Sequence, residues 1–210
     1  MRGRTALRRI LIGLVICYSA AHLGYSLWRY GPWGRDANTF VYGADVRRPW
    51  TEARAWKETG FLDFKDTIYP PLYYALLLPV ADLDYRLVEP ILYVSQFLWY
   101  VLAIWLMAKT AYTDKAPPPM AYALAAVLTV NFHPFLETVA LYKVEGWEFF
   151  LICLALYAFR HQRDGVTGFL VVTAAGLKYL PGILILYFLV KREWRVVRGN
   201  TPVDDNAPTI

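Results

Sequence analysis

Cysteine is nearly absent from the 210 residues: Cys17 and Cys153 are the two there are, both inside apolar runs. That is too few for a disulfide framework or a thiolate zinc site, so thiol redox and structural-metal chemistry drop out. The glycines are scattered singly, with no phosphate-cradling loop among them, which excludes a nucleotide-binding domain of that type. Charged residues make up 19% of the chain, and the positive excess of +5 sits in short clusters beside apolar segments. That is the pattern of membrane topology rather than of a nucleic-acid surface, and no nucleic-acid partner is expected.

What the chain does have is apolar length. At 57% hydrophobic and 17% aromatic, it describes several bilayer-spanning runs rather than one water-soluble core, with membrane lipids as its surroundings. The expected class is all-α: a polytopic membrane bundle of about five to seven helices or half-helices. Ile10–Trp28 is long enough to span, and the basic residues before it predict an uncleaved signal anchor with its N-terminus in the cytoplasm. His22, near its outer end, reads as a neutral hydrogen-bonder between helices. Leu87–Met107 is a second clear span, with Lys109 and Lys115 marking a cytoplasmic end. Met120–Val130 begins a further helix that breaks at Asn131-Phe132-His133-Pro134, and Gly146–Phe159 runs inward to the basic cluster Arg160–Arg163. Residues 1–198 form one transmembrane domain, with 72–190 carrying the later membrane segments; 199–210 is a polar, proline-containing tail expected to be disordered.

Two features break this apolar pattern. The first is the polar, aromatic segment from Arg29 to Pro71, an outer loop opening with Trp33-Gly34-Arg35-Asp36 and closing with Tyr69-Pro70-Pro71-Leu72. Within it, Pro49 at a first helical position, Gly60 at a C-cap, and Trp50, Ala53 and Trp56 on one side predict a short helix lying on the membrane surface. The following segment, Tyr69–Asp82, carries an internal Pro79 and is expected to enter partway and return.

The second is Lys178, in the middle of Val166–Val190. An ammonium at the centre of an apolar run is costly and marks a polar cavity by default. Basic clusters on both sides of the run favour two short arms joined at Gly176–Pro181, with Lys178 at the tip. Glu145 and Glu148, three apart, share a face near the outer end of their helix, although the helix dipole alone also favours acids there.

Taken in order, Gly34-Arg35-Asp36, the aromatic pair Phe40 and Tyr42 before Gly43-Ala44, Tyr69-Pro70-Pro71-Leu72, Val144-Glu145 and Lys178 with Pro181 resemble the GT-C superfamily of membrane glycosyltransferases. The pattern runs from about Ile10 to Arg195 and is most similar to glycosyltransferase family 87, the polyprenol-phosphate-mannose-dependent type. Val144-Glu145 matches only loosely the Gly-Gln or related polar pair that opens a later helix in the family. The resemblance implies an inverting transfer of a hexose, mannose in that type, from a polyprenyl-phosphate sugar to a lipid or glycan acceptor at the extracytoplasmic face of the cytoplasmic membrane. The donor is then a substrate and no cofactor is required, while the loop carboxylates leave a divalent cation open.

For that reaction the resemblance implies Asp36 as the base that takes the acceptor proton, with Asp45 as runner-up. On the residues alone, Asp36 reads more readily as a solvated loop carboxylate, or as one simply paired with Arg35, and it is the resemblance that favours the base. A leaving phosphate needs cations: Lys178 as a point charge, and Arg35 or Arg86 as a bidentate clamp. Tyr69-Pro70-Pro71 reads equally as an ordinary membrane-entry break or as a turn that shapes the cavity, and the resemblance implies Glu145 at the substrate site. Members of the family are longer, so separately encoded C-terminal helices are a candidate partner, and the alternative reading is a non-catalytic membrane protein that binds lipid or serves assembly.

Overall fold

The computed structural model describes residues 2–30, 44–63, 67–112, 116–131, 135, 138, 141 and 143–198. Among them every regular element is a helix, and no strand occurs. The expected tail, 199–210, lies outside the described residues.

Helix α1 (Arg2–Tyr30) is followed by α2 (Ala44–Thr59). Helix α2 begins earlier than the sequence suggests, and Pro49 sits inside it rather than at its start. A proline lacks the N–H that would bond four residues back, so only one bond is lost, and Asp45 in the first turn complements the helix dipole. Its end is as the sequence suggests: Gly60 has φ +72° and donates its N–H to the Trp56 carbonyl at 2.8 Å. Val46, Trp50 and Ala53 are buried on one side of α2. Trp50 Nε1 donates to the Val80 carbonyl at 3.2 Å, and Lys57 pairs with Asp82, which seats α2 on the turn that follows α3.

Helix α3 (Pro71–Leu77) starts with Pro71 at its first position and ends in a 3₁₀ turn, Leu78–Val80. It is seven residues long, too short to cross a bilayer. Helix α4 (Tyr85–Ala111) is capped by Asp84, whose carboxylate accepts the Arg86 N–H at 2.9 Å. At 27 residues it is the one described helix long and apolar enough to cross a membrane. Leu87, Ile91, Val94, Leu98, Val101 and Trp105 form an exposed stripe along it at steps of four and three. Its opposite face, including Val88, Leu92, Gln96, Tyr100 and Ala103, is buried.

Helix α5 (Pro119–Val130) packs on α1 through a polar tie, Asn131 Nδ2 donating to Ser19 Oγ at 2.9 Å. Helix α6 (Glu145–Arg160) lies between α4 and α7 (Asp164–Leu177). Its small residues allow the close approach: Cys153 packs with Ala103 and Leu106 of α4, and Ala155 and Ala158 pack with Leu170 and Val171 of α7. A Cβ on Gly146 would lie 2.2 Å from Gln96 Oε1 and 3.2 Å from the Gln96 carbonyl, so α4 and α6 touch nearly backbone to backbone there.

After α7 the chain doubles back through Lys178 and a 3₁₀ turn, Leu180–Gly182, into α8 (Ile183–Val190) and α9 (Trp194–Arg198). At the open end of this hairpin a Cβ on Gly168 would lie 2.3 Å from the Val196 carbonyl; at the bend, one on Gly182 would lie 3.9 Å from Ala175. The two arms therefore run side by side, with Lys178 at the closed end.

Candidate active site

Four segments distant in sequence meet at the N-terminal end of α6. Lys178 leaves α7 in an extended conformation (φ −152°, ψ 138°), while its N–H still closes the last helical turn onto Ala174. That bend turns the side chain onto α6, where Nζ lies 2.6 Å from Glu145 Oε1. Both partners are about one third exposed or less, at 35% and 26%. Glu145 Oε2 is shielded from solvent and has no hydrogen-bond partner among the described residues. Glu148, one turn further along α6, is buried.

The Tyr-Pro-Pro-Leu segment forms the facing wall. Tyr74, fully buried, accepts the N–H groups of Ile68 and Tyr69 on its hydroxyl at 3.1 and 3.3 Å, which fixes the strand of chain entering α3. Pro70 is extended and buried, and its carbonyl accepts the Tyr73 N–H at 3.1 Å. Leu72 touches α7, since a Cβ on Gly176 would lie 2.8 Å from Leu72 Cδ2. This contact holds the proline turn beside the hairpin bend that carries Lys178.

Tyr69 stacks edge-on against Tyr73 with ring centroids 4.9 Å apart. Burial pushes the Tyr69 hydroxyl well above its ordinary pKa, and the negative charges of Asp45 and Glu145 push it further in the same direction. Tyr69 is therefore a neutral hydroxyl at physiological pH, able to donate a hydrogen bond. Asp45 acts from the first turn of α2 and Glu145 from the start of α6.

Of the residues singled out from the sequence, Asp45, Tyr69, Pro70, Glu145 and Lys178 come together here. Arg86 does not: its side chain is exposed on the first turn of α4 and makes no hydrogen bond or ion pair with this cluster. Arg35 and Asp36 lie outside the described residues. Tyr73, Tyr74 and Gly146 escaped sequence reading. The first two read as part of an apolar run, and Gly146 reads as an ordinary helix residue until its proximity to Gln96 is seen.

Residues 67–199 match the profile of glycosyltransferase family 87. The chain belongs to glycosyltransferase family 87. The matched stretch contains Tyr69-Pro70-Pro71-Leu72, Glu145 and Lys178, the residues that converge around α6, and begins after Asp36 and Asp45. No curated protein and no solved structure matches the chain. Family 87 membership makes glycosyl transfer the general activity and the membrane the setting, in keeping with the apolar span of α4.

Proposed function

We propose that this family 87 member is a polytopic enzyme of the cytoplasmic membrane. It transfers a hexose, mannose in our reading, from a polyprenyl-phosphate donor to a lipid or glycan acceptor at the extracytoplasmic face. The observation that carries the proposal is the pairing of Lys178 with Glu145 at the start of α6, beside the Tyr69-Pro70-Pro71-Leu72 turn that packs on α7. A polyprenyl-phosphate sugar brings an anion bonded to an uncharged, hydroxyl-rich ring, and this cluster offers a cation beside a carboxylate and a neutral hydroxyl.

In the proposed reaction the acceptor hydroxyl attacks the anomeric carbon from the side opposite the phosphate, the bond to the phosphate oxygen breaks, and configuration inverts. Asp36 removes the acceptor proton, with Asp45 as the second candidate base. Lys178 stabilises the charge that grows on the departing phosphate, so no general acid is required; Arg35 is a further candidate cation. Before the donor arrives, Glu145 holds Lys178 in place.

The test is transfer of labelled mannose from a short polyprenyl-phosphate mannose to endogenous membrane lipid, comparing wild type with Asp36→Asn and Asp45→Asn. Asp36→Asn is expected to lower the rate by at least about 100-fold at unchanged expression. Unchanged transfer in Asp36→Asn with loss in Asp45→Asn would move the base to Asp45.

A further inference from the structure

The open end of the hairpin, away from Lys178, carries a groove and a set of charges that sugar transfer does not use. The groove has a volume of about 360 Å³ and is lined by Gly165, Gly168, Phe169 and Val172 of α7, Phe188 of α8 and Val197 of α9. Phe169, Val172 and Val197 are exposed, so it opens outward rather than into the bundle. Gly168 lets α9 press against α7, since a Cβ there would lie 2.3 Å from the Val196 carbonyl. Val196 is buried in that contact, while Trp194 and Val197 on either side of it stay exposed.

The residues that border this groove along the chain are basic. Arg163 stands just before α7, Lys191 and Arg192 join α8 to α9, and Arg195 lies on α9. All four are exposed. Asp164 and Glu193 are the acids of the same stretch, yet among the described residues no carboxylate pairs with any of the four cations. The positive-inside tendency accounts for basic residues at a cytoplasmic end, but it requires no groove between them.

An occupant that matches both features is apolar along its length and anionic at one end. A second copy of this chain docking through the same face would set two basic rims against each other. A zwitterionic lipid would bring its own ammonium to the rim. The polyprenyl-phosphate donor has suitable chemistry, but its phosphate is assigned to Lys178, and the 14 residues of α7 set the two ends of the hairpin about 20 Å apart. An anionic glycerophospholipid fits: hydrocarbon lies along the groove, and its phosphate meets guanidinium groups able to grip two oxygens at once.

We infer that this groove is a binding site for one anionic glycerophospholipid of the cytoplasmic leaflet. An acyl chain lies along Phe169, Val172 and Phe188, and the basic rim of Arg163, Lys191, Arg192 and Arg195 holds the headgroup. The inference rests on the proposed membrane setting and on the orientation of the hairpin, not on the sugar chemistry. A lipid held there ties α9 to the hairpin whose closed end carries Lys178.

The test is native mass spectrometry of the full chain released from dodecyl maltoside micelles, titrated with dioleoyl phosphatidylglycerol or dioleoyl phosphatidylcholine. The expected result is one phosphatidylglycerol retained per chain, with phosphatidylcholine at least about tenfold weaker. Arg192→Gln combined with Arg195→Gln is expected to weaken phosphatidylglycerol at least about tenfold and to leave phosphatidylcholine unchanged. Val172→Trp puts an indole into the groove with every cation in place, and is expected to abolish retention. All three positions are exposed, so the melting temperature should stay within a few degrees of wild type.

Equal retention of phosphatidylcholine, or unchanged retention of phosphatidylglycerol in either variant, would overturn the inference, and the arginine variant decides even if Val172→Trp does not fold. Displacement of phosphatidylglycerol by farnesyl phosphate would give the groove to a polyprenyl chain, and a dimer lost in Val172→Trp would give it to a second copy; either result overturns the lipid site. Selective phosphatidylglycerol binding without sugar transfer leaves this site and removes the transferase reading. Sugar transfer without selective binding does the reverse.

Discussion

At the scale of single residues, Lys178 separates the structural from the catalytic account. Its bond to Glu145 is partly exposed, and ion pairs of that kind contribute about 0–1 kcal/mol to stability. A cation placed to meet a developing phosphate charge is worth far more in rate, about 10²–10³-fold for a single preorganised partner. Lys178→Met is therefore expected to keep its melting temperature within a few degrees while losing at least about 100-fold in sugar transfer. A large loss of melting temperature with a proportionate loss of activity would make Lys178 a structural residue. Tyr69 differs in kind: half-buried and under the negative charges of Asp45 and Glu145, it stays a neutral hydroxyl and takes no part in moving protons at physiological pH.

At the scale of elements, the site depends on how closely α6 lies against α4 and how the hairpin bends. The closest approach is at Gly146, where a side chain would run into the Gln96 amide, the Gln96 backbone and the Tyr100 ring at 2.2, 3.2 and 3.2 Å. The amide can rotate away, but the Gln96 carbonyl is backbone and Tyr100 is packed against Phe135 and Phe149. Gly146→Ala should therefore push the start of α6 outward at a cost of about 1–3 kcal/mol, seen as a lower melting temperature in detergent. Because Glu145 is the neighbouring residue, transfer should fall along with it.

The elements also show what a sequence can and cannot reveal. Lys178 and Tyr69-Pro70-Pro71 were legible because an ammonium in an apolar run and a double proline each break a local rule. The Gly60 cap of α2 was legible for the same reason, as a local requirement for positive φ. The start of α2 was not: Pro49 suggested a first turn, and nothing local reveals that the helix tolerates one missing bond. The partnership of Glu145 with Lys178 was also hidden, since the two stand 33 residues apart and meet only because α7 packs against α6 and the chain turns at the bend.

At the scale of the whole molecule, the proposed membrane setting makes a topological prediction from the side-by-side arms of α7 and α8. A hairpin closed at Lys178 requires Arg163 and Lys191, at its open end, to lie on one side of the bilayer. In a background of Cys17→Ser and Cys153→Ser, cysteines introduced at positions 163 and 191 should both react with a membrane-impermeant maleimide from the cytoplasmic side alone. Labelling from opposite sides would mean that 166–190 crosses once and that Lys178 lies within a span.

The central claim is that the cluster around Glu145 and Lys178 transfers a sugar from a lipid-linked phosphate donor. The direct measurement is transfer of labelled mannose by the purified chain reconstituted in liposomes with polyprenyl-phosphate mannose and extracted membrane lipid as acceptor. The account predicts labelled lipid product with wild type and at least about a 100-fold loss with Lys178→Met at matched folding. Equal product from the two proteins, or none from well-folded wild type, would contradict it.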